Sequence, residues 1–314
     1  MAAAHDGTAG SGADFVLGID FGGTKVALAA AAAVGGEILA TTRLPTNAAD
    51  GAAQALERSL DAARALIDTT AGQCVAVGAV SPGIVQPDRI LLAPNVPGWD
   101  ALALPDALRD GLAVANVAVG NDVKAATLAE ARWGSLRGAD PGLLVTLGTG
   151  VAAGIVVGGQ VLAGANGAAG EIGYALRGPQ DTTGAADGRA PLEEFVGGRA
   201  IGERGSSLLG RPMSAADVFA SGDPAARALI EETLAELATH VTNLVIALDP
   251  ARVAVGGGLM SHGDLVLDAL QHRLRFAVPF PPELVPAAFV QDGSLRGALA
   301  LGLEMAHAPT EALR

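Results

Sequence analysis

Asp20, Gly22, Gly23, Thr24 and Lys25 stand together in Ile19-Asp20-Phe21-Gly22-Gly23-Thr24-Lys25. A carboxylate, bare backbone amides, a hydroxyl and an ammonium crowd one short stretch. Amides and a cation suit phosphate oxygens, and a carboxylate suits Mg²⁺ through its water shell. Alone, the stretch reads equally as an ordinary hairpin with a Gly-Gly turn.

Further along, Leu147-Gly148-Thr149-Gly150 offers a second turn of the same kind, and Gly256-Gly257-Gly258-Leu259 a third glycine cluster. Without Cβ atoms, the latter lets a flat ring lie against backbone, though it reads as a plain loop as well. Asn121-Asp122 combines two residues favoured as helix N-caps, and Asp is also the usual acceptor for the proton of an attacking hydroxyl. The two readings are compatible, because a cap holds its side chain in one place. Glu171 and Glu193 suit adjacent hydroxyls, each carboxylate accepting several hydrogen bonds; taken singly, each is an ordinary surface glutamate.

Short apolar runs surround these residues. Phe15–Ile19 and Val26–Ala30 flank the first Gly-Gly turn as strands. Ala52–Thr69 carries helical spacing, and Val75–Val80 reads as a buried strand closed by the turn Ser81-Pro82-Gly83. Val117–Gly120 is a strand ending at Asn121-Asp122, and Val123–Trp133 a helix. Leu143–Leu147 and Ile155–Val157 flank the second Gly-Thr turn, so the hairpin near residue 20 recurs near residue 148. Two similar halves facing each other across a cleft are the expectation. Gly178–Ala190 reads as a loop, Pro224–Leu248 as a long helix stopped at Asp249-Pro250, and Arg252–Val255 as a strand. The alternation predicts an α/β protein with mixed sheets, each glycine cluster at the carboxyl end of a strand, where ligands of such sheets lie.

The formal net charge of −13 argues against a nucleic-acid surface, which needs clustered Lys and Arg. Cys74 is the single cysteine, which excludes an intrachain disulfide and a cysteine-based zinc site. Met1–Asp14 is small and polar, without the basic start of a signal peptide, and reads as a disordered tail. The longest apolar run, Val26–Val34, is far too short to span a bilayer, so a soluble cytoplasmic protein is expected.

In their order, these motifs resemble the ROK family of sugar kinases, within the actin-like ATPase (hexokinase) fold, over about Phe15 to Leu303. The resemblance implies a two-lobed α/β fold with an interdomain cleft: a small lobe of about 14–118 with the C-terminal helix of about 294–308, and a large lobe of about 119–293 after a tail of 1–13. It implies Asp20, Gly22, Gly23, Thr24 and Lys25 as the first phosphate motif, with Asp20 serving Mg²⁺ through water. Thr149 and Gly150 belong to the second phosphate motif, and Gly256, Gly257, Gly258 and Leu259 to an adenosine motif. Asp122 is the implied catalytic base. Gly83, Asn95 (in Pro94-Asn95-Val96-Pro97-Gly98-Trp99), Asn121, Glu171, Tyr174 and Glu193 are the implied sugar side. ATP and Mg²⁺ follow as cofactors, and a homodimer as the common assembly.

The chain departs from the family at one place. Most members carry a histidine after Glu-x-Gly and three cysteines beyond it, which together bind a structural zinc. Here the histidine position is Tyr174, and Gly184–Glu193 contains no cysteine. A zinc-free protein is expected, its loop held by packing and hydrogen bonds. Tyr174 can donate to or accept from a sugar hydroxyl, or it fills the space that His and zinc leave. The departure moves some weight from plain glucose toward amino-sugars such as kanosamine or N-acetylmannosamine.

The expected activity is ATP-dependent phosphorylation of the 6-hydroxyl of a hexose or amino-hexose. Polyphosphate is an alternative donor, which the acidic balance weakly disfavours. A non-catalytic sugar-sensing regulator is the alternative of another class. Such regulators add a helix-turn-helix domain ahead of this body, and about 14 residues precede the first strand here.

Overall fold

The computed structural model describes residues 13–86, 88–93 and 96–308. Asn95 lies outside the described residues, as does all of the expected tail except Ala13. In chain order the elements are β1 (Phe15–Phe21), β2 (Lys25–Ala32), β3 (Ile38–Pro45), α1 (Ala52–Thr69), β4 (Cys74–Ser81), β5 (Ile84–Val85), β6 (Ile90–Leu91), α2 (Leu104–Leu112), β7 (Val117–Asn121) and α3 (Asp122–Trp133). There follow β8 (Gly142–Leu147), β9 (Val151–Val157), β10 (Gln160–Val161), α4 (Glu193–Val196), α5 (Gly198–Leu209), α6 (Ala215–Phe219), α7 (Pro224–Leu248), β11 (Arg252–Gly256), α8 (Gly263–Ala277), β12 (Glu283–Pro286) and α9 (Gly293–His307). They form two compact units, one holding the described residues through Ala126 and from Ser294 onward, the other Thr127–Gly293.

The first unit is built on a sheet ordered β3-β2-β1-β4-β7. The β1–β2 and β2–β3 pairs are antiparallel, while β1–β4 and β4–β7 are parallel. Successive strand residues point to opposite faces, so one strand feeds two cores. Leu17, Ile19 and Val77 bury against Leu56 of α1 and Leu104 and Leu108 of α2. Val16 and Ala76 face Leu295, Leu299 and Leu303 of α9. That helix comes close because Gly78 lies beneath it: a Cβ at Gly78 would stand 1.9 Å from the Ala298 carbonyl oxygen.

The second unit repeats the plan. Its sheet runs β10-β9-β8-β11-β12, with β8–β9 and β9–β10 antiparallel and β8–β11 and β11–β12 parallel. In each sheet the first three strands of the unit form a meander, and the fourth and fifth add in parallel beside the first. The hairpin repeat visible in the sequence is thus a repeat of whole sheets. Leu143, Val145 and Val255 bury against Leu237, Val241 and Val245 of α7 and Leu270 of α8. The limits of α7 follow from chemistry. Pro224 takes N1, the Asp223 side chain accepts from the Ala225 amide at 2.8 Å, and Asp249 turns left-handed at φ 46° before Pro250.

Two kinds of element escape the sequence reading. β3 is half-exposed along its whole length, with Thr41, Thr42 and Arg43 in it, so its apolar signal is thin. α5 carries Gly198, Gly202 and Gly205, poor helix formers. Tertiary packing selects them: a Cβ at Gly205 would come within 2.3 Å of Val218. No helix among the described residues is long and apolar enough to cross a membrane.

Candidate functional site

In the first unit, β1 ends at Phe21 and β2 begins at Lys25, so Gly22, Gly23 and Thr24 form the hairpin tip. The Gly22 amide donates to the Lys25 carbonyl at 3.0 Å. Gly22 is required, because a Cβ there would stand 2.7 Å from that oxygen. Thr46, just past β3, clamps the tip: its hydroxyl donates to Gly22 O at 2.6 Å and its amide to Thr24 O at 3.0 Å. Sequence reasoning missed Thr46, whose only signal is its place at the end of a thinly patterned strand. Among the described residues, the amides of Gly23 and Thr24 donate to no protein acceptor.

Asp20 stands at the end of β1 with no hydrogen bond to its carboxylate among the described residues. Burial pushes its carboxyl up to about 6, and the Lys25 ammonium only partly opposes this. A desolvated carboxylate without a protein donor, beside amides that suit phosphate, fits a hydrated divalent cation that takes its remaining ligands from phosphate and water. Among the described residues no group of three or more His, Cys, Asp or Glu is placed to hold a metal by itself.

Asn121 and Asp122 join β7 to α3. The Asn121 side-chain oxygen accepts from the Lys124 amide at 3.0 Å, the geometry of an N-cap. Its amide nitrogen donates to the Gly83 carbonyl at 2.9 Å, and the residue is 7% exposed. Asn121 therefore ties the Ser81-Pro82-Gly83 turn to the start of α3. Gly83 takes φ 87°, and a Cβ there would stand 2.4 Å from Leu91 O. Asp122 is half-buried, with Oδ1 accepting from the Val123 amide at 2.8 Å. Trp99 completes this half: its indole N–H donates to Ser81 Oγ at 2.8 Å, and its ring lies 5.2 Å from that of Phe21. Asp20, the hairpin tip, Gly83, Asn121 and Asp122 thus share one bonded framework.

In the second unit, the Gly148–Gly150 turn closes with the Gly148 amide donating to Gly150 O at 2.9 Å. The first amides of α5 hold it from behind: Gly198 N reaches Gly148 O at 2.9 Å and Arg199 N reaches Thr149 O at 3.1 Å. The amides of Thr149 and Gly150 donate to no acceptor among the described residues. The Gly256–Gly258 cluster meets the same place. Gly257 takes φ 93° with its Cβ position 2.4 Å from Leu147 O, and Leu259 lies 3.7 Å from the Cβ position of Gly198. Gly258 faces open space.

Glu193, the first residue of α4, accepts from the Val151 amide at 3.2 Å, and a Cβ on Gly150 would fall 1.9 Å from its carboxylate. Leu192 N bonds Gly173 O at 3.1 Å and Tyr174 N bonds Glu171 O at 3.2 Å, drawing Glu171, Tyr174 and Glu193 into one cluster. The Tyr174 hydroxyl is held above its ordinary range by burial first, then by the negative charges of Glu193 and Glu171. At neutral pH it keeps its proton and can donate.

The ROK family profile matches residues 16–305. The glucokinase of Halalkalibacterium halodurans is 31% identical over 287 residues, 84% of this chain and 86% of that one. The N-acetylmannosamine kinase of Haemophilus influenzae is 32% identical over 292 residues, covering 90% and 93%. Among solved structures, a ROK family glucokinase from Streptomyces griseus in complex with glucose and AMPPNP superposes with a TM-score of 0.76 at 26% identity, over 92% of this chain and 99% of that chain.

Proposed function

The chain belongs to the ROK family, and on that premise we propose that it is a sugar kinase moving the γ-phosphoryl group of ATP to the 6-hydroxyl of a hexose or amino-hexose. One observation carries the reading. Each unit presents a Gly-Thr turn, two of whose amides have no acceptor among the described residues, held in place by hydrogen bonds to its carbonyls. Such rigid donors are what phosphate oxygens require, and rigidity means no reorganisation when charge develops.

The roles divide as follows. Gly22–Lys25 and Thr149–Gly150 bind phosphates, and Gly256–Leu259 takes the adenosine. Asp20 would hold Mg²⁺ through water, and the ion would offset phosphate charge. Asp122 accepts the proton of the sugar hydroxyl as that oxygen bonds to the γ-phosphorus, and the bridging P–O bond breaks to release ADP. Asn121 keeps Asp122 in place. Glu171 and Glu193 accept hydroxyl protons while Tyr174 donates. A glucose-type substrate is favoured, with N-acetylmannosamine and kanosamine as the alternatives; relatives acting on the first two stand at 31% and 32% identity, too even to choose by similarity.

ADP release, measured with Mg·ATP across glucose, mannose, fructose, allose, glucosamine, kanosamine, N-acetylglucosamine and N-acetylmannosamine, tests the proposal. We expect strong turnover with one sugar, and a folded Asp122→Asn variant slower by at least ~10²-fold, the lower scale of general-base effects. Silence across the panel sinks the kinase reading, and near-wild-type turnover of the variant removes Asp122 from its role.

A further inference from the structure

Phe195 of α4 lies between two arginines. The guanidinium carbon of Arg177 is 3.3 Å from its ring centroid and that of Arg204 is 3.8 Å. Two guanidinium groups that near one centroid cannot share a face without overlapping, so they sandwich the ring. Neither cation is loose. Arg177 Nε donates to Glu236 of α7 at 3.1 Å, and its backbone amide donates to Asp181 at 2.6 Å. Arg204 Nη1 donates to Phe195 O and to Thr233 Oγ1, both at 3.0 Å, and a second nitrogen pairs with Glu232. Arg177 keeps 33% of its side-chain exposure and Arg204 25%, so both contacts are partly desolvated, where cation–π attraction is strongest.

The clamp's position gives it meaning. Phe195 is two residues beyond Glu193 on a helix of four residues, too short to hold itself. Arg177 is three residues beyond Tyr174, on the segment that begins with Glu171. One side chain therefore ties the Glu171–Tyr174 turn and α4 together and anchors both to the long helix α7. The Gly148–Gly150 turn has its own ties, through the Gly198 and Arg199 amides.

We infer that Arg177 is a positioning residue for sugar binding, acting through Phe195 to hold Glu193 and Tyr174 in register; this rests on the assignment of those two groups to the sugar. Loosening it weakens sugar binding most and leaves the base in place; the Gly148–Gly150 turn, which Glu193 also meets at Gly150 and Val151, keeps its ties to the Gly198 and Arg199 amides and is disturbed less.

The test uses the full chain as wild type, Arg177→Met, Arg177→Lys and Glu236→Gln. Glu236→Gln removes the charge that anchors the arginine without removing the arginine itself, so a result survives if Arg177→Met does not fold. Two readouts are taken: amide hydrogen exchange of 192–197, and kinetics with the sugar that the wild type accepts. The expected result is faster exchange at 192–197, a sugar KM raised about 10-fold in Arg177→Met with kcat nearly unchanged and the KM for ATP raised clearly less, partial recovery in Arg177→Lys, and an intermediate Glu236→Gln. Unchanged exchange in that segment overturns the inference whatever the activity. An unchanged sugar KM, or equal loss in both KM values and kcat, overturns it while leaving the kinase reading intact. A wild type silent toward every sugar overturns the kinase reading and this inference with it.

Discussion

Asp20 shows how much a single side chain costs when a site is prepared for a charge the protein does not itself supply. Its carboxyl rises from 3.8 to about 6, chiefly because burial disfavours the anion. The native state therefore binds a proton that the unfolded chain gives up sooner. Its contribution is most favourable below pH 3.8 and falls away as pH rises through about 6. Asp20→Asn removes that liability. In thermal melts of the ligand-free protein near pH 8, we expect the variant to melt about 2–4 °C or more above wild type, the gap narrowing near pH 5, while kinase turnover collapses. A melting point equal to or below wild type at pH 8 would show that the carboxylate has a native partner after all. The sequence offered Asp20 as a candidate to serve a metal, from its neighbours. That its carboxylate has no hydrogen bond among the described residues and a raised pKa depends on what folds around it, and no local pattern encodes that.

Asn121 belongs to the scale of elements. The sequence offered a cap reading and a general-base reading for Asn121-Asp122. The structure gives the cap to Asn121 and adds a second bond, to Gly83, from a different strand–turn unit. The pair therefore couples the β4 turn to the start of α3. Asn121→Ala loses the cap, typically about 1 kcal/mol, and leaves the Gly83 carbonyl without its donor. We expect a melting point lower by at least ~2–4 °C and a fall in kcat larger than the change in KM for ATP. Asn121→Asp, which keeps the capping oxygen but not the donor, should restore part of the stability and little of the turnover. An alanine variant with wild-type kcat would dismiss the coupling. Thr46 and Trp99 act at the same scale: each ties elements distant in the chain to the hairpin tip or the Ser81 turn, and neither has a local signature of that role.

For the molecule as a whole, a repeated sheet plan accounts for the placing of both Gly-Thr turns. In each unit the turn joins the first two strands of a five-stranded mixed sheet. The expected zinc-free character is also a whole-molecule property, because ligands scattered in sequence must meet to bind a metal. The segment 174–194 is tied instead by Arg177 to Glu236, by Arg189 to Glu194 and by Asp187 to the Gly184 amide. We expect protein purified without added zinc to contain far less than one zinc per chain, and a strong chelator to leave the melting curve of the ligand-free protein unshifted. About one tightly bound zinc per chain, or a chelator-induced drop in melting temperature, would contradict this.

The sequence by itself determined the α/β class, the limits of α1 and α7, the two Gly-Thr hairpins and the family resemblance with its list of candidate residues. These are local matters of apolar period, capping, proline stops and glycine turns. Only the tertiary structure decided that Thr46 clamps one turn and α5 the other, that Asn121 donates its side-chain amide to Gly83, and that Phe195 sits between Arg177 and Arg204. Such contacts join residues far apart along the chain. Their partners are chosen by how sheets and helices pack, which no window of sequence contains.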